Sequence, residues 1–295
     1  MGKYIVTGAT GYIGTNIVKR LVDNGEEVYI IVRETSNLEL LESIKDRVNI
    51  FIFDGNIQGL IEYFKPLKDA ITIHLASLFI AEHSTDKVND LIDSNIRFGS
   101  QLLEAMKEAG INKFINTGTS WQHYNNSEYN PVCLYAATKE AYEKIIVYYH
   151  EAYNIRNVTI ELFDSYGPND NRPKLLNLLT KYSVENKELA MSPGEQMLDL
   201  VYIDDIVDGY ILASNMLEEG KIGNGEKFVL SSGCRITLKK LVEVFSEITN
   251  KKVKISWGMR EYRKREVMIP WEKGKILPGW KPKISLKEGI VKSFK

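Results

Sequence analysis

Residues 3–14 read Lys3-Tyr4-Ile5-Val6-Thr7-Gly8-Ala9-Thr10-Gly11-Tyr12-Ile13-Gly14. Lys3–Thr7 is a short apolar run with β-branched residues, which predicts a strand. Thr15–Asp23 carries apolar residues at helical spacing (Ile17, Val18, Leu21, Val22) and stops at Asn24-Gly25, a helix-ending pair. Three glycines spaced GxxGxxG therefore lie between a strand and a helix. The first permits a tight turn, the second lets backbone approach a pyrophosphate, and the third permits close packing of helix on strand. Free N–H groups and the positive end of the helix complete an anion seat.

Outward from this unit the pattern repeats. Glu27–Val32, Val48–Phe53, Ile71–Leu75, Lys113–Thr117 and Val158–Phe163 read as strands, and Asp93–Ala109 and Leu134–Tyr153 as helices. Strands separated by helical stretches imply βαβ units and a parallel sheet. Burial of such a sheet on both faces explains apolar runs in place of alternation. Past Tyr166-Gly167-Pro168 the alternation weakens. A loop, a helix over Leu175–Lys187, a turn at Ser192-Pro193-Gly194 and an apolar helical pattern over 200–216 follow. The expected architecture is α/β, a Rossmann-type doubly wound parallel sheet with a small mixed C-terminal lobe. Residues 1–165 form the dinucleotide-binding core, to which the chain returns at about 199–231. Residues 166–198 and 232–295 form a substrate-binding lobe.

Composition sets bounds but names no chemistry. Lys+Arg number 38 and Asp+Glu 39, so a net charge of −1 gives no electrostatic case for nucleic acid or an anionic membrane as partner. The two cysteines, Cys133 and Cys234, each stand alone, which excludes a disulfide framework or a zinc ribbon as the organising principle. The most apolar stretch, Ala70 to Ala81, is interrupted by Thr72, His74 and Ser77. It is too short to span a bilayer, where about 20 apolar residues are needed. The N-terminus enters a strand at once, with no signal-peptide pattern, and a cytoplasmic protein is expected. Asp204-Asp205 is read as structural, and no metal is expected.

Thr7–Gly14 (TGATGYIG) resembles the cofactor loop of the extended short-chain dehydrogenase/reductases, in the sugar-nucleotide epimerase/dehydratase branch. His74-Leu75-Ala76-Ser77, Asn95, Leu162–Pro168 (LFDSYGP) and Val201–Asp205 (VYIDD) resemble further signatures of that family, and the likeness covers nearly the whole chain. It implies that a nicotinamide dinucleotide is held by Thr7, Gly8, Gly11, Tyr12, Ile13, Gly14, Leu75, Ala76, Ser77, Asn95, Thr117 and Phe163, together with Tyr135 and Lys139. It also implies a homodimer through helices 93–109 and 134–153. The second strand runs into Arg33. An Arg there can pair with a 2′-phosphate, and Ser36 and Asn37 can add contacts, so NADP is expected. With Glu34 in the acid's role the cofactor is NAD instead. Asp54 fits either a contact to the adenine amino group or a cap on its own turn.

Tyr135-Ala136-Ala137-Thr138-Lys139 places a phenol and an ammonium at i and i+4, on one helix face. A Lys beside a phenol stabilises phenolate and holds ribose hydroxyls. Thr119 is read as the hydroxyl that steadies the substrate oxygen, with Ser120 as its rival. Ser120-Trp121 stand where the family's dehydratases carry an Asp-Glu pair, so dehydration, which needs two positioned groups, is not expected. His123 and Cys133 form an alternative acid/base pair for a C3/C5 epimerase. Asp164, Tyr166, Gln122 and His123 are candidate sugar contacts. Arg172 and Arg263, the latter within the basic run Arg260–Arg265, are candidates for a pyrophosphate.

Ser120–Tyr124 (SWQHY), Glu161–Leu179 and Ser192–Asp205 are similar to 4-ketoreductases of the CDP-abequose and CDP-paratose synthase type. That likeness implies NADPH-dependent reduction of the C4 keto group of a nucleotide-linked 4-keto-6-deoxy or 3,6-dideoxy hexose, in surface-polysaccharide sugar supply. A 4-epimerase that retains NAD and a catalytically silent NADP sensor are the competing readings.

Overall fold

The computed structural model describes residues 1–294. Strands β1 (Lys3–Thr7), β2 (Glu27–Val32), β3 (Val48–Ile52), β4 (Ile71–His74), β5 (Lys113–Thr119) and β6 (Arg156–Leu162) belong to one sheet. Short strands β7 (Asp164–Tyr166), β8 (Glu188–Met191) and β9 (Met197–Tyr202) leave it, and β10 (Asn224–Leu230) returns to it. The sheet order is β10-β6-β5-β4-β1-β2-β3 with every pair parallel. Strand order reverses between β1 and β4, so their carboxyl ends open a crevice, the usual ligand position in such sheets.

Alternation along the strands feeds two cores. Val6, Ile30, Ile73, Ile115 and Ile160 pack with residues of α1 (Tyr12–Asp23) and, later in the chain, the helix Ile203–Glu218. Ile5, Ile31 and Phe114 pack on the other face with α2 (Ile57–Phe64) and the helices that follow β4 and β5. Two filled faces are what the apolar runs required.

The helix expected at Asp93–Ala109 starts earlier, with α3 (Val88–Ile92), and continues as a π-helical turn (Asp93–Arg97) and α4 (Phe98–Ala109). The wider turn carries Asn95, whose amide turns inward. α5 (Leu134–Tyr153) has the expected bounds, and α6 runs Leu175–Glu185, ended by Asn186 in the left-handed conformation. β5 is two residues longer than expected, because Gly118 and Thr119 still pair with Glu161 and Leu162.

Residues 200–202 are not helical. They finish β9, which pairs with β7 and with β11 (Arg235–Thr237) in a second, three-stranded sheet. α7 (Ile203–Glu218) starts only after them, so the chain rejoins the large sheet's layers at 203, not at about 199. Partners from distant segments decide the matter here, where the apolar spacing Leu200, Val201, Ile203 suits either element. α8 (Leu238–Thr249), β12 (Lys254–Trp257), which pairs with β8, and α9 (Leu286–Phe294) complete the described chain. Asp205 is buried and accepts hydrogen bonds from the Lys283 and Ile284 amides at 2.9 and 3.1 Å, so it ties α7 to the C-terminal segment. No helix among the described residues is long and apolar enough to cross a membrane.

Candidate active site

The glycine loop is built as its spacing demands. Gly8 sits at φ +70°, and a Cβ there would stand 2.6 Å from the Ala76 amide nitrogen. A Cβ at Gly14 would stand 2.1 Å from the Gly8 carbonyl oxygen. Both positions admit only glycine. Gly11 is the exposed N-cap of α1, with no side chain capping the helix, so the first-turn amides stay available to an anion. Gly8, Thr10 and Gly11 form one wall of a cleft of about 730 Å³, and Arg33, Ser36, Phe53, Leu75, Ala76 and Ser77 lie along it. An uncapped helix start, a backbone cradle that a Cβ would fill and an extended cleft at the switch point fit a dinucleotide.

Several residues expected on the cofactor hold this wall instead of lining it. Thr7 is buried, its hydroxyl 2.7 Å from His74 Nδ1 and accepting from the Ala76 amide at 3.3 Å. Asn95 accepts from the Leu78 amide (2.7 Å) and donates to the Leu78 carbonyl (3.0 Å) and the Thr138 hydroxyl (2.9 Å). It thereby locks the strand-end segment to α5. Tyr12 donates to the Pro168 carbonyl at 3.2 Å, and Ile13 packs on the main core. Thr117 shares a hydrogen bond with Tyr210 of α7 at 2.7 Å. Phe163 is the half-buried residue at which the chain changes sheets. Asn37 accepts from the Glu39 amide (2.8 Å) and Asp54 from the Asn56 amide (2.9 Å). Both cap local turns, as short polar side chains in such positions often do. Arg33 lies at the cleft and makes no ion pair among the described residues, whereas Glu34 does not line it.

Tyr135 and Lys139 rise from the first turns of α5 and are buried. The Ser77 and Thr119 hydroxyls lie near enough to the Tyr135 phenol to favour its ionised form. Ser77 also lines the cleft and so links it to the phenol. Burial pushes the Tyr135 phenol up to about 12, with Cys133 adding to the rise and the two hydroxyls opposing it. Lys139 is not among these influences, so the expected lowering of the phenol by the ammonium is absent here and burial prevails. The Lys139 ammonium is itself drawn down to about 8 by burial, against the pull of the Glu143 carboxylate.

Of the two candidate hydroxyls Thr119 is the one that acts on the phenol's pKa, while it also accepts from the Trp121 amide at 3.3 Å and Ser120 begins the next 3-10 turn. Gln122, expected to meet sugar, is fully buried. It accepts from the Thr119 amide at 2.9 Å and donates to Glu140 (2.8 Å) and Glu143 (2.9 Å) of α5. His123 lies 3.0 Å from Glu161, binds the Ser127 carbonyl and stacks on Trp271 at 4.1 Å. With both ring nitrogens engaged it cannot join Cys133 as an acid/base pair. Arg172 is also spent: it grips Asp170 (2.8 and 2.7 Å) and Ser165, and lies over the Tyr12 ring. Tyr166 is buried and donates to the Leu286 carbonyl.

A second cavity of about 220 Å³ lies beside this centre. Asp164, Lys174 and Arg263 mark one side, and Leu175, Leu198 and Leu200 are among its apolar residues. Asp164 pairs with Lys174 at 3.0 Å, and Arg263 with Glu266 at 2.6 Å. Two residues that sequence reasoning missed connect the centre to this cavity. Phe79 packs edge-on against Tyr135 (5.0 Å) and against Trp121 (5.3 Å). Lys174 lies over the Phe79 ring and Arg263 over Trp121. Phe79 carries no polar group to flag it, and only its exposure in the fold marks it.

A glycine-cradled crevice beside a buried Tyr–Lys pair is the arrangement of an enzyme that uses a nicotinamide dinucleotide. The chain belongs to the NAD dependent epimerase/dehydratase family, whose sequence pattern matches residues 4–230. It is 29% identical to the CDP-abequose synthase of Yersinia pseudotuberculosis over 296 residues, covering 99% of both chains. It is 28% identical to the UDP-glucuronate 4-epimerase of Thermodesulfobacterium geofontis, covering 99% of this chain and 95% of that one. The solved UDP-glucuronic acid 4-epimerase of Bacillus cereus, in complex with UDP-glucuronic acid and NAD, superposes with a TM-score of 0.85. It is 24% identical, with 99% of this chain and 98% of that one covered, and establishes the fold.

Proposed function

We propose that the protein is a nucleotide-sugar 4-ketoreductase that takes NADPH and reduces a 4-keto-6-deoxy or 3,6-dideoxy hexose, with CDP as the favoured nucleotide. The observation that carries the reading is a buried Tyr135 phenol under the influence of the Ser77 and Thr119 hydroxyls, with Ser77 lining the cofactor cleft. The full-length likeness to a CDP-abequose synthase supports the substrate class. Arg33 at the cleft supports NADPH, since a guanidinium matches a 2′-phosphate.

When bound, the nicotinamide supplies the hydride equivalent. Tyr135, its proton held firmly by burial, donates that proton to the oxygen that was the ketone. Thr119 and Ser77 orient the phenol and offer hydrogen bonds to the same oxygen as charge develops. Lys139 holds positive charge one turn further along α5. The diphosphate is assigned to the second cavity, where it exchanges with Asp164 on Lys174 and with Glu266 on Arg263, and the leucine side receives the base. Residues 166–198 and 232–295 serve as the substrate lobe. Exposed Val147, Tyr148 and Tyr153 on α5 support a homodimer through α4 and α5.

The test is a panel of nucleoside-diphosphate 4-keto-6-deoxy sugars with NADPH and NADH, product configuration being read by NMR. Reduction with NADPH, lost in Tyr135→Phe, is expected. Full turnover in Tyr135→Phe overturns the reading. The comparable likeness to a UDP-glucuronate 4-epimerase keeps 4-epimerisation as the second reading. Tightly bound NAD in the purified protein decides for it.

A further inference from the structure

Beside the catalytic phenol the chain holds a large apolar ring in the open. Phe79 is 48% exposed, although it sits between Tyr135 and Trp121. Polar side chains near it are turned elsewhere. Gln122 is consumed by Glu140, Glu143 and the Thr119 amide, and His123 by Glu161 and Ser127. Cations lie against the rings, but each is already paired: Lys174 with Asp164, Arg263 with Glu266. Apart from the Ser77 and Thr119 hydroxyls at the reacting oxygen, the surface next to Tyr135 therefore offers two aromatic rings with a paired, charged rim.

We propose that Phe79 and Trp121 form the seat for the deoxygenated edge of the sugar ring, and that they select a hexose carrying CH3 or CH2 where ordinary hexoses carry OH. This rests on the reductase reading above and deepens it by naming what chooses the substrate. An aromatic face receives C–H groups well, whereas a hydroxyl pressed against it loses its water partners and gains none. Apolar walls reject an added hydroxyl by about a hundredfold at most. A preference of about tenfold to a hundredfold for the deoxy sugar is expected.

The test compares dissociation constants of the NADP-loaded protein for pairs of ligands that share a nucleotide. CDP-6-deoxyglucose is set against CDP-glucose, and UDP-6-deoxyglucose against UDP-glucose, by calorimetry. Within a pair the base cancels, so the ratio reports the sugar seat alone. The wild type is expected to favour the deoxy member of a pair by at least tenfold. Phe79→Gln is expected to bring the ratio to near unity, and Phe79→Leu, which keeps the surface apolar, to retain most of it. Phe79 is half-exposed and does not line the cofactor cleft, so unchanged NADPH affinity certifies that the variants are folded. A deoxy preference that survives Phe79→Gln and Trp121→Gln overturns the seat while leaving the deoxysugar reading intact. A wild type that favours the hydroxylated sugars, or binds none of the four, overturns both.

Discussion

Replacing Gln122 by Met separates two roles that predict opposite kinetics. Met has nearly the same volume but neither a donor nor an acceptor of use here. Three hydrogen bonds at 2.8–2.9 Å disappear from a side chain with no exposure. The Thr119 amide loses its acceptor, and an orphaned buried donor costs about 1–3 kcal/mol. Glu140 and Glu143 lose a shared donor but keep Lys144 and Lys227, which limits the further loss. A total near 3 kcal/mol lowers the melting temperature by roughly 5–10 °C for a chain of this size. Thr119 is released from its strut, so kcat is expected to fall about tenfold while KM stays within about twofold. Thermal denaturation and steady-state kinetics on the same preparations read both quantities. A melting temperature unchanged within about 1 °C, with KM raised tenfold at constant kcat, is the signature of a lost sugar contact. That result refutes the strut and restores Gln122 to the substrate.

Glu143→Gln tests the charge behind Lys139. Glu143 raises the Lys139 pKa against burial, so neutralising it lets the ammonium lose its proton at lower pH. The alkaline limb of the kcat/KM profile is expected to move below its wild-type position near pH 8. His74 beside Lys139, and Gln122, Glu140 and Lys227 around Glu143, are unchanged in the variant, so an unmoved limb rejects the coupling. Gly14→Ala drives a methyl to 2.1 Å from the Gly8 oxygen with backbone on every near side. About 3 kcal/mol of stability and most NADPH affinity are expected to go. Wild-type melting and wild-type quenching on NADPH addition contradict this.

What could be read from the chain followed how local each signal was. The glycine loop and the Tyr135–Lys139 pair depend on spacing within one turn or one helix, and the structure places them where that spacing predicts, ahead of α1 and in the first turns of α5. Gln122, His123 and Arg172 look, in sequence, like groups free to bind a ligand. Glu140, Glu143 and Glu161 lie 18 to 38 residues further on and take up the first two. Asp170 captures Arg172 from only two residues away, yet nothing in the spacing announces it. The π-helical turn was illegible because one wider turn leaves the apolar period nearly intact. Residues 200–202 read as helical in sequence because the partners that make them strand, β7 and β11, are short and separated from them in the chain.

The sheet order has a consequence for synthesis on the ribosome. β6 is complete at Leu162, but its outer neighbour β10 begins only at Asn224. At about 5–20 residues per second, those roughly sixty residues take several seconds to emerge. Throughout that interval β6 is an uncovered edge, rich in Val, Ile and Leu, and able to pair with another nascent chain. A slow stretch of codons between the two strands would lengthen the exposure, so this protein's yield is expected to depend on translation speed over that segment.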